Sequence, residues 1–268
     1  MLFFLMSIEK VERISTGSYD LNKWLYGGYE KGIVTMIAGS PGSGKTNFAI
    51  LTACSQAKKG NKVIFIDTEG GFSVDRVKQI VGDNYQEILK NIFLVTPSNF
   101  EEQKKFFTTL NDQLKKEQIR LIIVDGMAMH YRLELGDARS KEGERFRDGK
   151  DTERERGREV DEEIRKINRE VAKQMKLLAE IAKKQNIPVI ITNQVYHGFQ
   201  SEEDWKKGLE REVNIVGGDL FQYWCKCIIE LKNEKGKRKA FLFKHRSLPE
   251  KELGFEIKND GIFRKGIF

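Results

Sequence analysis

Residues Gly39–Thr46 read Gly-Ser-Pro-Gly-Ser-Gly-Lys-Thr, between the apolar run 32–38 (GIVTMIA) and a segment of helical periodicity, Thr46 to Lys59, that stops at Gly60. The stretch fits the pattern G-x-x-x-x-G-K-[ST] without departure. Its glycines let backbone N–H groups converge on phosphate oxygens with no Cβ in the way. The helix that follows adds the positive end of its dipole. Lys45 would set a cation against the β- and γ-phosphates, and the Thr46 hydroxyl is a hard oxygen ligand suited to Mg²⁺. Gly39, Ser40, Pro41, Gly42, Ser43, Gly44, Lys45 and Thr46 are therefore the expected nucleotide-contacting set, with ATP and Mg²⁺ as the expected ligands.

Working outward, short β-branched runs alternate with helical patterns, which implies an α/β fold with a mainly parallel sheet and crossover helices. Strands are expected at 32–38, 62–67 (KVIFID), 91–95 (NIFLV), 120–125 (RLIIVD) and 187–194 (IPVIITNQ), and an amphipathic helix at 100–117. The last segments, KCIIELK, KAFLFKH and GFEIKNDGIFR, read as shorter antiparallel strands. Their turn signals are Glu234-Lys-Gly236 and Asn259-Asp-Gly261. The stretch 136–170 carries eleven basic and twelve acidic residues. It is read as a solvated loop running into a charged helix, with a dedicated binding surface as the other reading.

Asp125 ends the apolar run LIIVD, and an acid at the tip of a hydrophobic strand is the natural second metal-associated carboxylate in a chain with such a phosphate loop. Glu69 follows VIFID and ends VIFIDTE, and Gln194 ends VIITNQ. Glu69 reads either as a general base for water or as a helix N-terminal acid. Gln194 reads either as an amide that senses the γ-phosphate or as an ordinary polar strand end. Spacing alone leaves both pairs of readings open.

Lys and Arg exceed Asp and Glu by seven, and residues 226–268 hold twelve of the bases against six acids. Such an excess favours a polyanionic partner. Lys232, Lys235, Lys237, Arg238 and Lys239 form a compact basic hairpin, read either as a DNA contact or as a solvated turn. Cys54, Cys225 and Cys227 have no framework spacing, which suits a reducing compartment, and Cys225-x-Cys227 reads as two buried thiols on a strand. His130, His197 and His245 are scattered, so no zinc-type site is expected. The start, MLFFLMSIEK, is too short for a membrane span and lacks a signal-peptide core, and Met6 is a possible initiator. A soluble, cytoplasmic protein is expected.

Several segments taken together resemble the recombinase ATPases of the RecA/RadA type, and among them the archaeal RadB paralogues. They are STGSYDLNKWLYGGYEKG (15–32), the phosphate loop, FIDTEGGF, LIIVDG, YRLELGD, ITNQVY, VGGDLFQYWCKCIIEL and KHRSLPE. The resemblance covers roughly residues 13–257. It implies a RecA-type ATPase core, a twisted sheet flanked by helices with a small antiparallel C-terminal extension, as a single domain over residues 1–268. It implies Glu69 as the catalytic glutamate and Gln194 as the γ-phosphate-linked glutamine. It puts Lys244 and Arg246 where a neighbouring subunit's nucleotide would be contacted. DNA-binding loops would fall in the charged stretch after Asp125 and at 195–216.

The core motif begins by about Ser15, with no room for the family's N-terminal helical domain and no Phe-x-x-Ala-type linker upstream. The implied role is an ATP- and DNA-binding accessory of recombination and DNA repair, partnered with the main recombinase of the RadA type, with a homo-oligomer as a further expected partner state. Weak hydrolysis and no strand exchange are expected. A signalling ATPase of the KaiC kind is the alternative, since it shares the early motifs; ITNQVY and VGGDLFQYW favour the first reading.

Overall fold

Apolar runs bounded by glycine or polar residues become the buried centre of a parallel sheet, because crossover helices cover both of its faces. The computed structural model describes the backbone of residues 11–148, 153–197 and 213–266, and the side chains of 11–140, 158–196 and 214–266. Among these residues the parallel strands are β3 (Val34–Gly39), β4 (Lys62–Asp67), β5 (Ile92–Val95), β6 (Ile119–Asp125), β7 (Val189–His197) and β9 (Cys225–Glu234). They lie in the order β9-β3-β7-β6-β4-β5. Beyond β9 the sheet continues antiparallel through β10 (Lys237–His245), β11 (Lys251–Lys258) and β12 (Gly261–Arg264). Strand β8 (Val213–Ile215) pairs antiparallel with the end of β7. A separate two-stranded ribbon joins β1 (Arg13–Ile14) to β2 (Tyr29–Glu30).

One face is covered by α1 (Tyr19–Trp24), α2 (Lys45–Ala57), α3 (Val74–Val81) and α4 (Tyr85–Leu89). The other is covered by α5 (Phe100–Lys116), α6 (Met129–Asp148), α7 (Glu153–Gln185) and the short α8 (Asp219–Gln222). Strand alternation divides the core accordingly. Val63, Phe65, Leu121 and Ile123 face α2, while Ile64, Ile66, Ile122 and Val124 face α5 and α7. Cys225 and Cys227 depart from that period. The register with β3 shifts between Val34 and Thr35, so Lys226 is an extra residue and the two thiols fall on opposite faces of the sheet. Both are buried, and burial pushes each thiol up to about 12, as it does for Cys54.

The charged stretch 136–170 is corrected by the structure. Helix α6 runs through it as far as Asp148 and α7 resumes at Glu153; residues 149–152 lie outside the described part. The helical state is explained by packing rather than composition. Tyr131 donates its hydroxyl hydrogen to Asn168 Oδ1 at 2.7 Å, and Ala138 is buried. On α7, Ile167, Val171, Met175 and Leu178 form one apolar stripe against the sheet. The charges sit outside as i,i+3 and i,i+4 pairs, such as Glu162 with Lys166 at 3.0 Å and Glu180 with Lys184 at 3.2 Å. No helix among the described residues is long and apolar enough to cross a membrane.

Candidate nucleotide site

In a sheet of this order the crevice lies at the carboxyl ends of the central strands, where crossovers leave in opposite directions. Strand register delivers the chemistry there. Gly39 at the end of β3 is opposite Gln194 on β7, and Asp67 at the end of β4 is opposite Asp125 on β6. The phosphate loop leaves β3 and enters α2 through Gly44, whose φ of 113° is open to glycine and strained for other residues. A Cβ at Gly44 would also lie 2.7 Å from Ile257 Cδ1, so the end of that β11 side chain would have to move aside. The first N–H groups of α2 have no intrahelical acceptor by construction and point into the crevice.

Lys45 is buried and donates from Nζ to the carbonyls of Gly39 at 2.9 Å and Ser40 at 3.1 Å. Burial lowers its pKa, and Glu69 and Asp125 act in the opposite direction. Thr46 faces Asp125 across the crevice. Asp125 Oδ1 accepts from Thr192 Oγ1 at 2.6 Å, and Thr192 Oγ1 in turn accepts from the Gly126 N–H at 2.7 Å. Asp125 Oδ2 is buried with no well-formed hydrogen bond. Burial raises the carboxyl's pKa; hydrogen bonds from Thr192 and Thr46 oppose the rise, and repulsion from Asp67 and Glu69 adds to it. A buried carboxylate oxygen left over beside a hydroxyl fits a hard divalent cation, which takes oxygen ligands and offsets the desolvation.

Glu69 and Gln194 meet. Gln194 Nε2 donates to Glu69 Oε1 at 3.1 Å, and Arg132 on α6 makes a long 3.5 Å contact to Gln194 Oε1. Glu69 is not a helix N-terminal acid, because α3 starts later with Ser73 as its cap, accepting from Arg76 N. Its side chain packs over Gly126, where a Cβ would come within 2.6 Å of Glu69 Cγ and 2.5 Å of Thr68 Oγ1. Gly126 has φ 85°, so conformation and space both call for glycine.

Lys244 and Arg246 are engaged elsewhere in the chain. Lys244 Nζ donates to the Gln222 carbonyl at 3.0 Å, and Arg246 forms an ion pair with the buried Glu30. The latter carboxylate also faces His245 Nε2 at 3.5 Å, whose pKa is lowered by burial and by Arg13 and Lys251. In the basic hairpin, Lys235 (φ 50°) and Gly236 (φ 82°) make the expected turn. Lys239 pairs with Glu252 at 3.1 Å, and Lys232 lies 4.0 Å from Glu230. Lys235 and Lys237 are exposed at the tip. Of the stretch 195–216, residues 198–212 lie outside the described part. Among the described residues no group of three or more His, Cys, Asp or Glu side chains is placed to hold a metal ion. Sequence reading passed over Thr192, Gly126, Asp67 and Gly71; the signal for Thr192 was a hydroxyl inside an otherwise apolar strand.

Sheet order and loop position define a P-loop core of the RecA class. The Rad51 family profile matches residues 8–147 and 156–265. A Methanobrevibacter smithii protein named DNA repair and recombination protein RadB is 35% identical over 263 residues, covering 96% of this chain and 98% of the relative. A Methanococcus maripaludis protein of the same name is 38% identical over 243 residues, covering 90% and 96%. The crystal structure of the RadB recombinase superposes with a TM-score of 0.67 at 31% identity, over 92% of this chain and 97% of that one. The chain belongs to the Rad51 family of RecA-type proteins, in its RadB branch.

Proposed function

We propose that the chain binds ATP with Mg²⁺ and binds DNA without sequence preference, and that it acts in homologous recombination and DNA repair. Its role is accessory to a main recombinase of the RadA type, with weak hydrolysis and no strand exchange of its own. The observation that carries the nucleotide part is the buried Asp125 Oδ2, without a well-formed hydrogen bond, beside Thr46 at the strand ends that also present Lys45 and the Glu69–Gln194 pair. Bound Mg²⁺ would neutralise phosphate charge, held by Thr46 and, directly or through water, by Asp125. Lys45 would transfer its hydrogen bonds from the loop carbonyls to phosphate oxygens. Glu69 would take a proton from water, and Gln194 would orient that glutamate and read the phosphate end.

Weak turnover has a physical reason. One Glu69 oxygen, Oε1, is engaged by Gln194, and Lys244 and Arg246 are engaged within the chain. Releasing those cations to a neighbour's nucleotide requires a second copy, which is the proposed homo-oligomer. The recombination role follows the names of the relatives and the resemblance of nearly the whole chain to them. ATPase rate measured over a wide dilution range, with and without single-stranded DNA and with and without a RadA-type recombinase, tests the reading. Specific activity should rise with protein concentration and with DNA; a flat, DNA-insensitive rate overturns it.

The exposed hairpin tip is the proposed auxiliary DNA contact. A Lys237→Ala, Arg238→Ala, Lys239→Ala variant should flatten the log–log salt dependence of single-stranded DNA binding. Lys239 is committed to Glu252, so the slope should change by about 1.4, two phosphates at about 0.7 each, rather than by three phosphates' worth. Binding isotherms over a salt series check this, and an unchanged slope assigns the hairpin to solvent.

A further inference from the structure

We infer that the turn Asp67–Phe72 forms the outer wall of the metal position, with Asp67 as its positioning residue. Gly71 is the residue whose missing side chain keeps room for the cation's water. The inference rests on the Mg²⁺–nucleotide reading above and deepens it.

The turn is fixed from both ends. Asp67 is buried at the end of β4, and its carboxylate accepts three backbone N–H groups: Glu69 and Gly71 on Oδ1, both at 3.2 Å, and Phe72 on Oδ2 at 2.8 Å. Carboxylates with several N–H donors make stiff local structures, because each bond is charge-assisted. Thr68 ties the same turn to β6. Its N–H donates to the Asp125 carbonyl at 3.1 Å, and its hydroxyl reaches the Gly126 carbonyl at 2.7 Å. At the far end Phe72 stands edge-on to Phe65, with centroids 5.0 Å apart.

The held turn presents Gly71 to the metal position. A Cβ there would lie 3.1 Å from Thr46 Cγ2, 3.2 Å from Thr46 Oγ1 and 3.6 Å from Asp125 Oδ2. The last atom is the buried oxygen without a well-formed hydrogen bond. Gly71 is not among the glycines of positive φ, so alanine at this position meets crowding and not backbone strain. Mg²⁺ needs near-octahedral oxygen coordination and keeps several waters. A methyl group against both protein oxygens would take the place of one of them. Asp67, whose oxygens are taken up by the N–H groups of Glu69, Gly71 and Phe72, acts through the backbone that it holds.

The test is titration of a fluorescent ATP analogue into the full chain, in Mg²⁺ and in EDTA, for wild type, Gly71→Ala and Asp67→Asn, with thermal melts to confirm folding. In wild type, Mg²⁺ should strengthen binding. Gly71→Ala should leave the EDTA affinity within about twofold and lower the Mg²⁺ enhancement by about 10-fold or more, the size typical of a lost supporting interaction at a metal site. Asp67→Asn keeps one acceptor oxygen but sets an N–H₂ against the Phe72 N–H, so it should lose part of the same enhancement. Should Gly71→Ala fail to fold, the Asp67→Asn result decides. Full enhancement in the variants, or equal weakening in Mg²⁺ and in EDTA, overturns the inference while the reading of the site stands. An absence of Mg²⁺ enhancement in wild type overturns both.

Discussion

Lys45→Ala is expected to weaken Mg–ATP binding by about 100- to 1,000-fold and to leave the melting temperature of the ligand-free chain within a few degrees. The two halves have different causes. In the free chain the ammonium donates to the Gly39 and Ser40 carbonyls. Losing two such bonds is unfavourable, but the same substitution removes a buried charge whose desolvation is visible in its lowered pKa. These terms oppose each other, so stability should hardly move. With nucleotide the balance shifts. Charge-assisted hydrogen bonds are worth about 1.5–3 kcal/mol each, and two of them span two to four decades of affinity at about 1.4 kcal/mol per decade. The lower part of that range is expected because the loop N–H groups and the cation remain. Removing Lys45 also leaves Glu69 and Asp125 facing the phosphates without their nearest cation, which works in the same direction. Calorimetric titration and the nucleotide-induced rise in melting temperature measure the two halves separately. A variant that binds with wild-type affinity would remove the phosphate role from residues 39–46.

Local signals account for what could be read from sequence. The run 62–67 is the observed β4, and 120–125 is β6 short of one residue, because an apolar run closed by an acid admits few other states in an α/β chain. The phosphate loop was legible because its glycines and lysine sit at fixed spacing. Elements held mainly by distant partners were not. The ribbon β1–β2 and α1 carry almost no periodicity and are fixed by contacts such as Thr52 Oγ1 to the Thr16 carbonyl at 3.1 Å and Gln56 Nε2 to the Ser15 carbonyl at 3.1 Å. Helix α6 was hidden by its charges and its Gly136, since the apolar face that stabilises it belongs to α7.

The site divides in the same way. Each of Asp125, Glu69 and Gln194 ends a legible strand or directly follows one, so each could be named. Their relations depend on which strands become neighbours. Thr192 reaches Asp125 across 67 residues of sequence, and Gln194 reaches Glu69 across 125. Only sheet order turns a strand-end polar residue into the partner of a particular carboxylate.

Glu69→Gln is expected to lower DNA-stimulated ATP hydrolysis by about 10²- to 10⁴-fold, the usual worth of a positioned general base, with ATP affinity within about threefold of wild type. The substitution is nearly isosteric and keeps the methylene stem that lies over Gly126. It also keeps an oxygen that can accept from Gln194 Nε2, 3.1 Å away. Packing and the Gln194 contact therefore persist, and what is lost is basicity at one atom. That makes the variant discriminating. A merely structural glutamate would tolerate the exchange, because its hydrogen-bond geometry is conserved. A base cannot, because an amide oxygen does not hold a proton taken from water. Removing the negative charge also relieves repulsion on Asp125, whose pKa Glu69 helps to raise, so Mg²⁺-dependent nucleotide binding should not suffer from loss of the carboxylate. Single-turnover phosphate release, run with DNA at a protein concentration that favours self-association, separates the chemical step from binding. A Glu69→Gln chain that releases phosphate at the wild-type rate would show that water is activated elsewhere, and would leave Glu69 as a hydrogen-bond partner that fixes Gln194.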